Sequence, residues 1–186
     1  MNYKKNILII LSFFSSRYFS FIFLIILFFG DKFLAFNFFA LSLLNFLLTF
    51  LLKIIFNKKR EIDNFNKKFF FNFRKNLINK IIYKIIIPDC YSFPSGHSSN
   101  SAIIVYFLIR LFKDKLKNFY LYFFVLFLLL IFYFFSILSR VYLGLHKIKD
   151  ILFGFLVGIF SILIYNFFLL KYFSFLYNRL LFHFMK

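Results

Sequence analysis

Two histidines of this chain lie in short polar segments between apolar stretches, where an ionisable side chain is costly and therefore suggests a function. His97 follows Ser95 and Gly96, and His146 comes four residues before Asp150. That spacing predicts a carboxylate on the same helical face as the imidazole, where it can fix the tautomer and stabilise the imidazolium. One histidine could then attack phosphorus while the other protonates the leaving oxygen.

Three cations accompany the histidines: Lys53, Arg60 and Arg140. The Ser95 hydroxyl and the Gly96 N–H add neutral donors near a predicted helix N-terminus, which favours an anion. This set suits a phosphoryl group, whose oxygens gain charge during transfer. Since the sequence shows no acidic cluster for Mg²⁺, we expect neither a metal nor another cofactor, and the cations would take the metal's part.

The elements that must position these residues are apolar helices. Of 186 residues, 63% are hydrophobic and 38 are Phe, with a mean hydropathy of +0.86. A small soluble domain cannot bury so many apolar side chains, so a soluble enzyme, a disordered chain and a disulfide scaffold are excluded. Cys90 is the single cysteine, which rules out an intrachain disulfide and disfavours a zinc cluster. The sequence predicts an all-α integral membrane helix bundle with one domain, residues 1–186.

Five membrane spans are expected from the apolar stretches of roughly 20 residues. They cover residues 7–29, 33–52, 98–112, 119–138 and 150–170. Residues 77–87 predict an amphipathic helix in the interface, and residues 171–186 a basic, aromatic interfacial tail. Gly154 and Gly158 either form a close-packing face or are merely accommodated in a lipid-facing helix.

Alternate crossings bring residues 53–60, 94–97 and 139–150 to one side of the membrane. This side carries fifteen Lys and Arg and the opposite side eight, so the positive-inside rule places it in the cytoplasm. The net charge of +18 comes from Lys and Arg residues. Apart from the three candidate phosphate ligands, these cations are suited to contact anionic lipid headgroups. Lys58 is assigned to this solvated or headgroup-facing group. Nucleic-acid binding is not expected, because the charges are split among short loops.

Taken in chain order, these three segments resemble the three motifs of the type 2 phosphatidic acid phosphatase superfamily (PAP2). That superfamily includes the vanadium haloperoxidases. KIIFNKKR from Lys53 to Arg60 resembles the first motif, and residues 94–97 are its PSGH motif unaltered. SRVYLGLHKIKD, residues 139–150, resembles the third. The resemblance covers a core of residues 53–150. The apolar spans of this chain favour the membrane lipid phosphatase branch of the superfamily over the soluble haloperoxidases.

Two features depart from the superfamily pattern. Glu61 stands where members usually have Pro, and its carboxylate could pair with Arg60 and weaken the grip of that residue on phosphate. Members also usually have three spans before the first motif, whereas two are predicted here. Either a first helix is missing, or residues 7–52 fold in a different way.

The resemblance implies a PAP2-like bundle of five to six transmembrane helices and a metal-free phosphatase mechanism. His146 would be the nucleophile, oriented by Asp150, and His97 would protonate the leaving group. The phosphoryl oxygens would be held by Lys53, Arg60, Ser95, Gly96 and Arg140. The substrate would be a phosphomonoester or pyrophosphate of a membrane lipid: phosphatidate, undecaprenyl pyrophosphate, phosphatidylglycerophosphate or a lipid A phosphate.

Two alternatives for the activity stay open: a lipid phosphotransferase of the same superfamily, and a non-enzymatic lipid-binding or transport subunit. Binding alone does not need His97, His146 and Asp150 together, which favours an enzyme. The expected location is a cell membrane, as a multi-pass protein of a bacterial inner membrane. Bacterial relatives more often act on the outer face of that membrane, so the resemblance implies an active site on the outer face, in conflict with the charge count.

Overall fold

The computed structural model describes residues 3–58 and 91–184. Within these two ranges the chain is helical apart from short connections, as the all-α prediction requires. The amphipathic helix predicted at residues 77–87 lies outside the described residues, as do Arg60 and Glu61.

The first apolar stretch forms two helices where one span was predicted. They are α1 (Tyr3–Phe14) and α2 (Arg17–Gly30), and the axis bends by 52° between them. The cause of the break is Ser16, whose hydroxyl accepts a hydrogen bond of 3.2 Å from the N–H of Phe19 and so caps a new helix. With α3 (Lys32–Phe56) that follows, three helices precede the end of the first motif. Residues 7–52 therefore fold as three helices, of which the first two make one bent candidate span.

Four further helices follow the second motif: α4 (Gly96–Lys115), α5 (Phe119–Tyr142), α6 (Ile148–Ile164) and α7 (Leu170–Phe184). A π-helical turn, Tyr165–Leu169, connects α6 to α7. The predicted interfacial tail is therefore helical as far as Phe184. The rings of Phe173 and Tyr177 both contact Phe36, so α7 packs beside the start of α3, at the end of the molecule opposite Lys53.

Three helices of the described ranges are long and apolar enough to cross a membrane: Lys32–Phe56, Phe119–Tyr142 and Ile148–Tyr177. The bent pair α1–α2 would make a fourth. The helix α4 does not meet this criterion of length and apolar composition. The reason is its position: α4 contacts α2, α3, α5 and α6, so its polar side chains face other helices and not lipid.

Close packing of α6 against α4 depends on two glycines. A Cβ on Gly158 would lie 2.8 Å from the Cβ of Ala102, and a Cβ on Gly154 would lie 3.0 Å from the backbone nitrogen of Ser95. No side chain fits at either position without displacing the neighbouring helix. The close-packing interpretation of these two glycines is confirmed, and it brings the start of α4 against the start of α6.

Candidate active site

The second and third predicted motif segments are joined through their backbones. The N–H of Ser95 donates a hydrogen bond of 3.0 Å to the carbonyl of Asp150. One turn on, the hydroxyl of Ser98 donates to the carbonyl of Ile151 over 2.7 Å. These bonds are possible because Gly154 lets the two backbones approach. The start of α4 and the start of α6 therefore form one surface.

The first turn of α4 carries the PSGH sequence. Ser95 is its N-cap, and its hydroxyl accepts a hydrogen bond from the N–H of Ser98 over 3.4 Å. Gly96 opens the helix, and His97 follows with 8% of its surface exposed. The carbonyl of His97 accepts a hydrogen bond from the Ser101 hydroxyl over 2.9 Å. The histidine is thus held at a helix N-terminus, where backbone N–H groups favour an anion.

His146 is placed by a tight turn between α5 and α6. The carbonyl of Arg140 accepts hydrogen bonds from the N–H groups of Leu145 at 3.0 Å and of His146 at 3.3 Å. Gly144 has a φ of 67°, in the left-handed region that side chains disfavour, which allows the chain to reverse here. Leu143 anchors the turn in the core with none of its surface exposed. The turn therefore holds His146 against the last turn of α5.

Lys53 reaches the same end of the molecule from α3. It lies in the last turn of that helix and is 4% exposed. Asn57, with a φ of 41°, ends α3 by donating its N–H to the Lys53 carbonyl over 3.0 Å. Two residues after the end of α3, the carbonyl of Lys58 accepts a hydrogen bond of 3.0 Å from the N–H of Ser92. The end of α3 is thereby joined to the segment that leads into PSGH.

A comparison with protein families matches residues 34–173, about three quarters of the chain, to the PAP2 superfamily. The chain belongs to the PAP2 superfamily. The matched range contains all of α3 but its first two residues, all of α4, α5 and α6, and the three motif segments, and it begins after α1 and α2. This membership indicates phosphatase-type activity. Comparisons with curated proteins and with solved structures give no match.

The carboxylate of Asp150 is held by one group from the segment that follows α3 and by another at the start of α6. Its Oδ1 accepts a hydrogen bond of 2.6 Å from the ammonium group of Lys58, and its Oδ2 accepts one of 3.1 Å from the N–H of Lys147. The expectation of a shared helical face is wrong, because α6 begins at Ile148, after the histidine.

Lys58 is the cation that the sequence interpretation misplaced. It was assigned to a solvated or lipid-facing group, but its ammonium group pairs with the Asp150 carboxylate, which is 1% exposed. The same ammonium lies 5.6 Å from the centre of the Phe93 ring, just before PSGH. Lys58 therefore ties all three PAP2 motif segments together. In so lysine-rich a chain, spacing alone gave no signal for this role.

Ser12 is a second contributor that the sequence did not indicate. Arg140 has none of its surface exposed, and its Nη1 donates a hydrogen bond of 2.7 Å to the Ser12 hydroxyl. Nearby, the Ser136 hydroxyl donates to the carbonyl of Leu11 over 2.6 Å. Because α1 precedes the PAP2 match, no superfamily motif points to these contacts. A cluster of serines in an apolar stretch, at positions 12, 15, 16 and 20, was the available signal.

Seven of the eight predicted site residues lie within the described part of the chain, and all seven are at this end of the bundle. They are Lys53, Ser95, Gly96, His97, Arg140, His146 and Asp150. The eighth, Arg60, lies outside the described residues. Asp150 is the one carboxylate among the described residues here, against three cations and two histidines. Such a balance suits a phosphate or pyrophosphate group. The described ranges hold no group of three or more His, Cys, Asp or Glu that could bind a metal ion.

Proposed function

We propose that this PAP2 protein is a membrane phosphatase that removes phosphate from a phosphomonoester or pyrophosphate of a lipid, through a phosphohistidine on His146. The observation that supports this most strongly is the joining of three motif segments, distant in sequence, at one end of the bundle. Backbone hydrogen bonds of Ser95 and Ser92 make that joining independent of any single side chain. The long apolar helices around the site support a substrate that resides in the bilayer.

In the first step, a ring nitrogen of His146 attacks phosphorus. A P–N bond forms while the bond from phosphorus to the leaving oxygen breaks, and His97 donates a proton to that oxygen. Lys53 and Arg140 neutralise the phosphoryl oxygens as their charge grows. The Ser95 hydroxyl and the Gly96 N–H add neutral donors, with Arg60 as a further cation from the first motif.

In the second step, a water molecule attacks the phosphohistidine. His97, now neutral, takes a proton from the water as the new P–O bond forms and the P–N bond breaks. Inorganic phosphate leaves and His146 returns to its starting state. The same two histidines thus serve both halves of the reaction, and no metal enters either step.

The direct test is phosphate release by the purified protein in detergent micelles that contain a metal chelator. A panel of phosphatidate, phosphatidylglycerophosphate, lipid A phosphate and polyprenyl pyrophosphate would identify the lipid. We expect His146→Ala to lose at least about a thousand-fold in kcat, because the nucleophile is gone. His183→Ala, in the C-terminal tail, is the matched control and should keep the wild-type rate.

Full metal-independent activity in His146→Ala would disprove the phosphohistidine mechanism. Wild-type protein that binds lipid phosphates but releases no phosphate from any of them would support the non-enzymatic alternative. Transfer of phosphate to an added alcohol, detected as a new phosphoester, would instead support the phosphotransferase. A labelled phosphohistidine, quenched in base because it is labile in acid, would identify the intermediate directly.

A further inference from the structure

A second set of polar side chains lies in the half of the bundle away from Lys53, outside the candidate active site. The hydroxyl of Tyr106 on α4 donates a hydrogen bond of 2.7 Å to Oδ1 of Asn166 in the π-helical turn. The same hydroxyl oxygen accepts a hydrogen bond of 3.3 Å from Nη1 of Arg110. All three side chains are partly buried. The proposed reaction uses none of them, and an ionisable group within a membrane bundle suggests a function.

The π-helical turn holds this set in place from behind. The hydroxyl of Tyr165 donates to Oδ1 of Asn37 on α3. The next residue of the turn, Asn166, accepts from Tyr106 on α4. Asn37 and Tyr165 have none of their surface exposed, and Nδ2 of Asn37 donates to the carbonyl of Phe33 over 2.7 Å. The turn, a kind that often occurs at functional sites, therefore fixes the acceptor of the Tyr106 proton between α3 and α4.

The direction of these hydrogen bonds makes Tyr106 an acceptor for a cation. A tyrosine hydroxyl has one hydrogen, and Tyr106 gives it to Asn166, so its oxygen presents lone pairs to Arg110. Because Tyr106 comes four residues before Arg110, this bond draws the guanidinium back along α4, away from the helix end at Lys115. A cation near the end of a membrane helix ordinarily extends towards water instead. Arg110 is thus held inward of the level that its side chain could reach.

Arg110 keeps donors for a ligand, and further cations surround it. A guanidinium carries five N–H groups, and the bond to Tyr106 uses one of them. Lys113, in the last turn of α4, and Lys171, in the first turn of α7, are both exposed. Since α4 and α6 both begin on the motif side and Tyr106 meets Asn166, Lys171 lies at about the level of Arg110.

The acidic side chains give less charge to this end of the molecule than the cations do. Among the side chains that the structure describes, the acid at this end is Asp31, and its Oδ1 accepts a hydrogen bond of 2.9 Å from the N–H of Leu34 as the N-cap of α3. Asp114, four residues after Arg110 in the direction away from Tyr106, has a side chain outside the described part. The excess of positive charge suits an anionic headgroup.

We propose that Arg110 and Lys171 bind the phosphate of an anionic phospholipid in the leaflet opposite the candidate active site. A guanidinium matches two phosphate oxygens with two parallel N–H donors, which an ammonium group cannot do. Tyr106 and Asn166 are positioning residues that hold this fork at headgroup depth. Inward of Lys171, Phe167 and Phe168 are 77% and 76% exposed and would contact the acyl chains.

The lipid bound here is not the substrate of the candidate active site. Arg110 comes 14 residues after Gly96 on α4, which separates the two sites by about 21 Å at 1.5 Å per residue. The inference therefore goes beyond the proposed function: it concerns a second lipid, which is bound and not hydrolysed.

The binding test uses dioleoylphosphatidylserine, an anionic phosphodiester that is neither substrate nor product of the candidate reactions. Native mass spectrometry of the full-length protein, released from detergent micelles at increasing lipid concentration, gives the affinity. We expect Arg110→Gln to bind about tenfold more weakly, because it loses charge-assisted hydrogen bonds. Lys117→Gln, which removes an exposed cation from the α4–α5 connection, is the matched control and should bind like wild type.

Tyr106→Phe tests the hydrogen-bonded set without changing any charge. It should weaken binding about threefold, because the guanidinium loses the acceptor that orients it. Asp114→Asn should bind at least as tightly as wild type, since it removes an acid from this end. Circular dichroism melting without added lipid confirms that each variant is folded, and added phosphatidylserine should raise the melting temperature of the wild type more than that of Arg110→Gln.

Equal binding by Arg110→Gln and Lys117→Gln, with both folded, would overturn the proposal, as would Tyr106→Phe with wild-type affinity or weaker binding by Asp114→Asn. Dioleoylphosphatidylcholine that binds as tightly as phosphatidylserine would overturn the requirement for an anionic headgroup. Inorganic phosphate that abolishes the melting shift would assign the site to free phosphate instead of a lipid. Because the probe is not a substrate, binding that depends on Arg110 would uphold the site even in a protein that released no phosphate.

Discussion

At the scale of single residues, the position of Arg140 depends on a hydroxyl 128 residues away in sequence. Arg140 is fully buried, and Ser12, also fully buried, accepts a hydrogen bond of 2.7 Å from its Nη1. A hydrogen bond to a charged group contributes about 1.5–3 kcal/mol. In the proposed mechanism, Ser12 is therefore a positioning residue, which would act on phosphate through the guanidinium.

Ser12→Ala should lower kcat/KM for lipid phosphate hydrolysis by about tenfold or more, because Arg140 loses the acceptor that orients it. Ser12→Thr keeps the hydroxyl and should restore most of the activity. Ser15→Ala is the control, since its hydroxyl bonds the carbonyl of Ser12 and does not contact Arg140. Steady-state kinetics together with inhibition by vanadate measure the effect. Unchanged vanadate inhibition in Ser12→Ala would contradict the positioning role.

Lys58 gives a second prediction at this scale. Its ammonium group is a hydrogen-bond partner of the buried Asp150 carboxylate, at 2.6 Å. Lys58→Gln removes that charge and should lower kcat by about tenfold, because the carboxylate loses a charged donor and can shift within the site. Lys149→Gln, an exposed lysine next to Asp150 in sequence, should retain wild-type kinetics. If both variants behave alike, the ion pair has no part in catalysis.

The sequence predicted the residues that lie within contiguous motifs better than those that act across the fold. His97 and His146 could be found because rare residue types occur at characteristic spacings in a chain dominated by Phe, Ile and Lys. Ser12 could not, since its partner is distant in sequence and the serine cluster does not indicate which member contacts Arg140. Asp150 and His146 do not share a helical face, because α6 begins two residues after the histidine.

At the scale of helices, the α4–α6 contact sets the distance between the second and third motifs. Gly158→Leu would force its side chain against Ala102 and the backbone of Ser99, and overpacking of this kind costs about 1–3 kcal/mol. We expect a lower melting temperature in detergent and at least a tenfold loss of phosphate release. Gly30→Leu is the matched control, because no atom lies within 4 Å of a Cβ built there.

Circular dichroism melting and phosphate release, measured on the same preparations, would check the role of Gly158. A Gly158→Leu protein with wild-type activity would show that the helices can separate without moving the motifs. Loss of stability in Gly30→Leu to the same extent would show that the effect belongs to the substitution and not to the α4–α6 contact.

Helix boundaries were predicted well where polarity changes abruptly and poorly where it does not. Residues 33–52 and 119–138 fall within α3 and α5, since long apolar stretches bounded by charges allow little else. The break between α1 and α2 was missed because two serines barely alter mean hydropathy, although one of them caps a helix. Residues 98–112 fall within α4 as well, although its first turn is polar because it belongs to the candidate site.

At the scale of the whole molecule, the helices outside the PAP2 match complete the site. In α1, Ser12 accepts the hydrogen bond of Arg140. The break before α2 is fixed by Asn100, whose side-chain amide donates to the carbonyls of Ser15 and Ser16 and to the Ser20 hydroxyl. These contacts tie the N-terminal pair to α4 beside PSGH. Superfamily motifs could not predict them, since they join residues about 80 apart across the boundary of the matched range.

The order of crossings makes a prediction for the molecule as a whole. The ends of α3 and α5 meet the starts of α4 and α6 on the motif side, and the α2–α3 and α4–α5 connections lie at the opposite end. Exposed lysines sample both: Lys149 on the motif side, and Lys32 and Lys117 on the other. In a Cys90→Ser background, single cysteines at these positions report the side through a membrane-impermeant maleimide on intact bacterial cells expressing the protein.

We expect Lys149→Cys to react from outside, and Lys32→Cys and Lys117→Cys to react only after lysis. Three of the fifteen motif-side cations, Lys53, Lys58 and Arg140, are held in the site, so they contribute less to the positive-inside signal than their number suggests. The reverse pattern, with Lys32 and Lys117 outside, would place the site in the cytoplasm, as the charge count predicts. Opposite behaviour of Lys32→Cys and Lys117→Cys would contradict the crossing order itself. Lys149→Cys should retain phosphate release, which ties the labelled side to a working site.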